Sequence, residues 1–443
     1  MNYYKRLFLL ALPLIFQHLI TVSLNLIDNV MVGRLGAFPL AAVGVANQVY
    51  GIYEMILFGL FSGAAVLVAQ CFGAKDYKKI KRIFGMDLCI GLSLAAVTLA
   101  AVQFFTPQIL CLFTSEPDVI QLGTEYIRIA SFTYLTICVS FAIAYNCRAV
   151  QKVLYPTLIS VSCIFINTVL NYMLIYGHFG MPAMGVKGAA IATLAARMTE
   201  MIALMTYLYL DKSHPLHGTL KDYCDFSSEL FGSMLRTAAP VVLSEGGWAL
   251  GVALVFAAYG RISAAALAVV QVSNIICKIC QCTMFALGNA SAALTGQSLG
   301  AKDIELTLSN AKKFIKVQWC YNFFMAAVIL LLREPVEMIY DFDAETTKML
   351  HLTLAAYAIT QIPRMVAYSV QCGLLRAGGD TVFCMTVELT CNLVIEVILA
   401  YFAVLVLHLP LHLCLGVASV GNVIKAIVEY RRYLSKKWIN IMV

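Results

Sequence analysis

The sequence predicts an all-α membrane protein: twelve transmembrane helices in two six-helix lobes. Three observations predict this class: the composition, the placement of the basic residues, and an internal repeat. Of the 443 residues, 61% are hydrophobic and 12% charged, and the mean hydropathy is +0.83. Soluble domains carry roughly 25% charged residues. There is too little polar surface here to cover a globule in water, which excludes a soluble enzyme, a nucleic-acid-binding protein and a disordered chain. The apolar runs are long and continuous, unlike the short alternating segments of a β-barrel.

In chain order, the first lobe takes runs near 8–33, 40–72, 84–113, 126–147, 156–177 and 188–210. The second takes runs near 236–259, 264–298, 314–332, 350–375, 381–407 and 410–430. Most exceed the roughly 20 residues needed to cross a bilayer, so tilt or extension beyond it is expected. Met1 to Gln17 has the basic start and apolar run of a signal peptide, but no small-residue cleavage site follows and the run continues to Val32. It reads as an uncleaved first helix. The fifteen cysteines lie mostly inside apolar runs and read as small hydrophobic residues. The expected division is an N-lobe at 1–210, a polar cytoplasmic linker at 211–235, and a C-lobe at 236–443 with a basic tail.

Basic residues segregate when the loops are alternated across the membrane. One side holds 22 of the 31, from Lys5 and Arg6 through the 75–82 loop to Lys436 and Lys437. The other holds six: Arg34, Arg128, Lys187, Arg261, Arg333 and Lys348. The positive-inside rule then puts both termini in the cytoplasm. These charges fit topology and anionic headgroups and require no nucleic-acid partner.

Residues 33–76 and 260–303 align without a gap at an offset of 227, with 18 identities over 44 positions. Gly73-Ala74-Lys75-Asp76 repeats exactly as Gly300-Ala301-Lys302-Asp303, Asn47 matches Asn274, and Pro13 matches Pro240. An even number of helices per unit makes this a parallel repeat about an axis along the membrane normal.

The ordered motifs resemble the multidrug and toxic compound extrusion (MATE) family, bacterial branch. They are Pro13 with Ile27-Asp28-Asn29-Val30-Met31-Val32-Gly33-Arg34-Leu35-Gly36, then Leu40 to Gly44 and Leu67 to Gln70. Asn167, Asn171, Gly177, Gly185, Gly188 to Thr193, Ser244 to Trp248 and Leu375 to Thr381 complete the set. The resemblance covers nearly the whole chain. It implies a V-shaped molecule that exports organic cations or amphipathic compounds in exchange for H⁺ or Na⁺. It also implies that Asp28 serves cation coupling, with Asn167, Asn171 and Thr193 around it. Family members often carry an acid where this chain has Asn171, so a paired-carboxylate scheme is not expected.

The residues point the same way. Asp28 lies some twenty positions into an apolar run with no base within four residues. An acid at that depth is costly to charge and by default functional. Structural bonding to polar neighbours is the bland alternative. Asn167 and Asn171 share a helix face at i, i+4, suiting either an ion site or interhelical hydrogen bonding. An oxygen-rich cluster suits Na⁺ as well as H⁺ chemistry, and both remain open. Glu54 and Glu245 are candidates for drawing in a cationic substrate. Lys278 needs a partner, with Glu245 or Glu388 the natural one. Arg364 suits an anionic substrate group, and Glu396 joins Glu388 on the eleventh span.

Cys277, Cys280 and Cys282 lack the second pair or histidine of a metal site. No nucleotide-binding motif and no nucleophile–base pair is present. The expectation is therefore a non-enzyme with no cofactor beyond its coupling ion, H⁺ or Na⁺. Its partners are small cationic or amphipathic substrates and membrane lipids. It is expected to be a monomer, multi-pass in the cytoplasmic (inner) membrane. The alternative is a flippase or exporter of lipid-linked or polyanionic substrates from the same superfamily.

Overall fold

The computed structural model describes residues 2–114, 116–337 and 342–442, and these are almost entirely helical. In order the helices are α1 (Tyr3–Gly33), α2 (Ala37–Gly73), α3 (Tyr77–Cys111), α4 (Pro117–Ala130), α5 (Thr133–Ala149), α6 (Leu154–Tyr176) and α7 (Val186–Leu210). A short α8 (Leu220–Tyr223) precedes α9 (Ser228–Gly260), α10 (Ala264–Gly300), α11 (Ile304–Leu331), the short α12 (Arg333–Glu337) and α13 (Ala344–Val370). Then come α14 (Thr381–Glu388), α15 (Val397–Leu405), α16 (Leu411–Ala418) and α17 (Val420–Leu434). Two π-helical segments interrupt this part, Gln371–Leu375 and Leu389–Glu396.

Among the described residues, ten helices or continuous helical runs are long and apolar enough to cross a membrane. An eleventh span is broken: α4 and α5 meet at a 49° bend. The expected tenth span at 350–375 is α13 with the π segment after it. It has the length but not the hydropathy, because it carries Thr353, Gln361, Arg364, Ser369 and Gln371. Neighbours make that polarity tolerable: α13 packs on α10, α11, α16 and α17, and Gln318 of α11 donates to the Met365 carbonyl at 3.1 Å.

The chain separates into two compact units. One comprises residues 13–68 and 76–235, the other residues 1–12, 69–75 and 236–443. The division inside α1 falls at Pro13, where the ring removes a backbone donor from the helix ladder.

The sequence repeat is also a repeat of backbone. Lys75 and Lys302 both sit at φ 60°, and the next residue, Asp76 or Asp303, N-caps the following helix. Asp76 accepts from the Lys79 N–H at 3.0 Å and Asp303 from the Leu306 N–H at 2.9 Å. The preceding glycines permit a reciprocal close approach. A Cβ on Gly73 would overlap the Gln297 carbonyl, and one on Gly300 the Gln70 carbonyl. The two glutamines then hold different chain ends. Gln70 donates to the carbonyls of Ala377 (3.2 Å) and Asn440 (3.1 Å) and accepts from Met442 N–H (2.9 Å). Gln297 accepts from Arg6 at 2.7 Å.

The polar stretch 211–235 is docked on the first unit. Arg82 pairs with Asp225, Phe84 meets Tyr223 edge-on at 5.5 Å, and Thr219 with Asp222 forms a capping box on α8. His214 is buried here. Its Nδ1 accepts from Leu216 N–H at 3.1 Å, and its Nε2 lies 3.7 Å from Cys147 Sγ. Burial pulls its pKa down from 6.5 to about 4. The Thr219 backbone and side-chain donors hold the Asp222 carboxyl below its usual range.

Candidate functional site

The first unit encloses a cavity of about 400 Å³. α1 supplies Asp28, α2 supplies Tyr50 and Glu54, α4 and α5 supply Tyr126 and Tyr134, α6 supplies Asn167 and Asn171, and α7 supplies Thr193, Arg197 and Glu200. The four residues expected around the coupling ion therefore line one space, and Glu54 lines it too.

Asp28 has no ion-pair partner among the described residues, and its Oδ1 is buried without a hydrogen bond. With the Asn167 carboxamide turned so that nitrogen faces the acid, Nδ2 donates to Asp28 Oδ2 at 3.0 Å. The amide oxygen then accepts from Thr193 N–H at 3.3 Å. Asn171 is buried beside it, and its Oδ1 has no partner. Tyr176 OH donates to the Met31 carbonyl at 2.8 Å and so fixes α1 against α6 just beyond Asp28.

Sequence reasoning missed a charged pair that also lines this cavity. Arg197 pairs with Glu200 at 2.8 Å, and Ser160 donates to the other Glu200 oxygen at 2.6 Å. The available signal was an opposite-charge pair at i, i+3 inside an apolar run. Asp87 was also missed. It is fully buried outside the cavity and accepts from Asn146 at 3.1 Å. The cavity thus presents three carboxyl groups, on Asp28, Glu54 and Glu200, against one guanidinium. Tyr50, Tyr126 and Tyr134 add aromatic faces, which suit a cation.

The second unit is arranged differently, because its lining acids are each matched by a base. Glu245 pairs with Arg376 at 2.5 Å, Glu388 with Lys425 at 2.6 Å, and Glu396 with Arg364 at 3.1 Å. Two small cavities of about 60 and 40 Å³ lie along this line and share Arg364 and Asn422. This corrects the expected pairing. Lys278 is exposed on α10, lines neither of these cavities, and has no ion pair among the described residues. Glu245 and Glu388 are held by Arg376 and Lys425 instead. In the sequence Arg376 directly follows the tenth expected span and Lys425 lies near the end of the last, so both belong to the 22 basic residues of the cytoplasmic side. Arg364, expected to meet an anionic substrate group, is held by Glu396. Cys280 lies outside the described side chains, and no His, Cys, Asp and Glu cluster able to hold a metal occurs among the described residues.

The probable multidrug resistance protein YoeA of Bacillus subtilis is 25% identical over 90% of this chain and 86% of its own length. The probable multidrug resistance protein NorM of Rhizobium meliloti is 34% identical over 47% of this chain and 44% of its own. Among solved structures, one described as MATE in complex with MaL6 superposes with a TM-score of 0.89 at 20% identity, covering 98% of this chain and 97% of that one. A transporter of the MOP superfamily from Pyrococcus furiosus, described as having a binding pocket of reversed polarity, also gives 0.89 at 20% identity, over 98% and 96%. These two likenesses concern the fold. The MatE family profile matches residues 13–173 and 246–402, one segment in each half of the repeat, and the chain belongs to the MatE family.

Proposed function

We propose that the protein is a cation-coupled antiporter that exports organic cations and amphipathic drugs by alternating access. The observation that carries this reading is the charge balance of the first unit's cavity. It has three carboxyl groups to one guanidinium, and Asp28 has no base beside it. An excess of acid in a low-dielectric space attracts either an organic cation or a small coupling cation. The relatives named as probable multidrug resistance proteins support export of such compounds.

H⁺ is the coupling ion this geometry favours. The Asn167 group facing Asp28 is an N–H donor, which leaves one oxygen fewer for a bare Na⁺. Asp28 takes up the proton from outside while substrate leaves, then releases it inside as new substrate binds. Glu54 and the tyrosines hold the substrate's positive charge. Pro13 gives α1 a weakened point at which to bend. The asymmetry of basic residues supports cytoplasmic termini and an inner-membrane location. The protein acts as a monomer, with no enzymatic step and no cofactor. The paired bases of the second unit speak against a polyanion flippase, since each is held by a carboxylate.

The test is ethidium efflux from proteoliposomes under a proton gradient or a sodium gradient imposed separately. Efflux driven by the proton gradient alone is expected. Efflux under sodium alone would reassign the ion, and none under either would reject drug antiport.

A further inference from the structure

The three acid–base pairs of the second unit leave one carboxyl over. Glu429 on α17 is fully buried, at 0% exposure, and neither of its oxygens has a hydrogen-bond partner among the described residues. The charged and titratable groups that face it are Lys425 on its own helix, Cys384 and Glu388 on α14, Cys391 on the π-helix that follows, and Arg376. Both cations in this set are engaged elsewhere, Lys425 by Glu388 at 2.6 Å and Arg376 by Glu245 at 2.5 Å. A carboxylate at Glu429 would be a buried charge without a partner, whereas a neutral acid there needs no counter-ion.

We propose that Glu429 is a proton-binding site separate from Asp28, and that Lys425 governs it. While Lys425 holds Glu388, Glu429 keeps its proton. Lys425 and Glu429 stand at i and i+4 and so share a helix face. When the ammonium of Lys425 swings from Glu388 to Glu429, the O–H bond of Glu429 breaks and its carboxylate takes the lysine. Glu388, having lost its cation, takes the proton. Charge and protons balance: one ion pair breaks, one forms, and one proton moves from Glu429 to Glu388. Glu388 lines the smaller cavity of this unit and Glu429 does not, so the exchange brings a buried proton to a cavity wall. Asn392, bonded to Glu388, stays as the fixed donor at the receiving site. Use of this relay in transport rests on the antiport reading above, whereas protonation of Glu429 does not.

The experiment is infrared spectroscopy of the purified full-length protein at neutral pH, reading the C=O stretch of carboxylic acids. Wild type, E429Q, E388Q and D28N are compared, and wild type is also labelled with ¹³C-carboxyl glutamate. A labelled glutamic-acid band is expected, lost in E429Q. It is lost also in E388Q, because the freed Lys425 ionises Glu429. It persists in D28N even if coupled efflux is gone, which separates failure of this proposal from failure of the Asp28 reading. Absence of any glutamic-acid band in labelled wild type overturns the proposal without a variant. A folded E429Q whose spectrum matches wild type, as a water-bridged carboxylate would give, also overturns it. If E429Q does not fold, E388Q decides in the same two directions. If neither folds, the double variant E388Q/E429Q is read against K425Q, which must retain the band.

Discussion

Arg376 Nη1 lies 2.5 Å from Glu245 Oε1, and both side chains are buried. Ser244 Oγ, next to that acid in sequence, accepts from the other terminal guanidinium nitrogen at 2.9 Å. This tie joins the middle of α9 to the residue that closes the π segment after α13, and it uses a base that lies one residue past the expected tenth span.

Removing one partner strands the other charge, and such losses cost about 3–5 kcal/mol. R376Q and E245Q are each expected to lower the thermal unfolding midpoint in detergent strongly. The double variant E245Q/R376Q is expected to recover part of the loss. Equal loss in the single and double variants would contradict the pairing.

Lys278 presents the opposite case. It is exposed and without an ion pair among the described residues. K278A is expected to change stability by no more than about 0.5 kcal/mol, the usual range for surface positions, and to leave ethidium efflux unchanged. A clear loss of either would restore it to the site.

Gly73 and Gly300 meet opposite backbone carbonyls in a reciprocal arrangement. G73A and G300A are both expected to reduce the folded yield, because backbone rather than a flexible side chain must shift. Fluorescence-detected size-exclusion chromatography reads this directly. Tolerance of both alanines would contradict the close approach.

His214 gives a pH dependence with a definite sign. Its Nδ1 accepts a backbone N–H and cannot also carry a proton, and its folded pKa is lowered from 6.5 to about 4 by burial. Between those values the unfolded chain binds a proton that the folded chain does not. The neutral histidine's contribution to stability is therefore complete above pH 6.5 and falls as pH drops toward 4. Unfolding midpoints across this window are expected to fall less steeply on acidification in H214Q than in wild type. An unchanged slope would contradict a buried neutral imidazole.

Most of the fold could be read from the sequence because hydropathy runs and basic-residue asymmetry record the membrane directly. The Gly-Ala-Lys-Asp repeat went further, since the same letters reproduce the same left-handed lysine and aspartate cap. The span at 350–375 is legible too, although α13 carries polar residues, because Thr353, Gln361 and Ser369 are buried against neighbouring helices rather than exposed to lipid. Asp28, Asn167, Asn171 and Thr193, expected together, do line one cavity in the first unit. Arg197 with Glu200, and the pairing of Arg376 and Lys425, were not expected. Which side of a helix faces a partner depends on packing between distant segments, and a base near a span's end looks the same in sequence whether it snorkels or is buried.

The central claim is that Asp28, unpaired in an acid-rich cavity, couples the proton to export. The most direct measurement is proton-gradient-driven ethidium efflux from liposomes containing D28N, alongside ethidium binding to the same purified protein. The account predicts binding retained and efflux reduced to the level of empty liposomes. Efflux at the wild-type rate from folded D28N would contradict it.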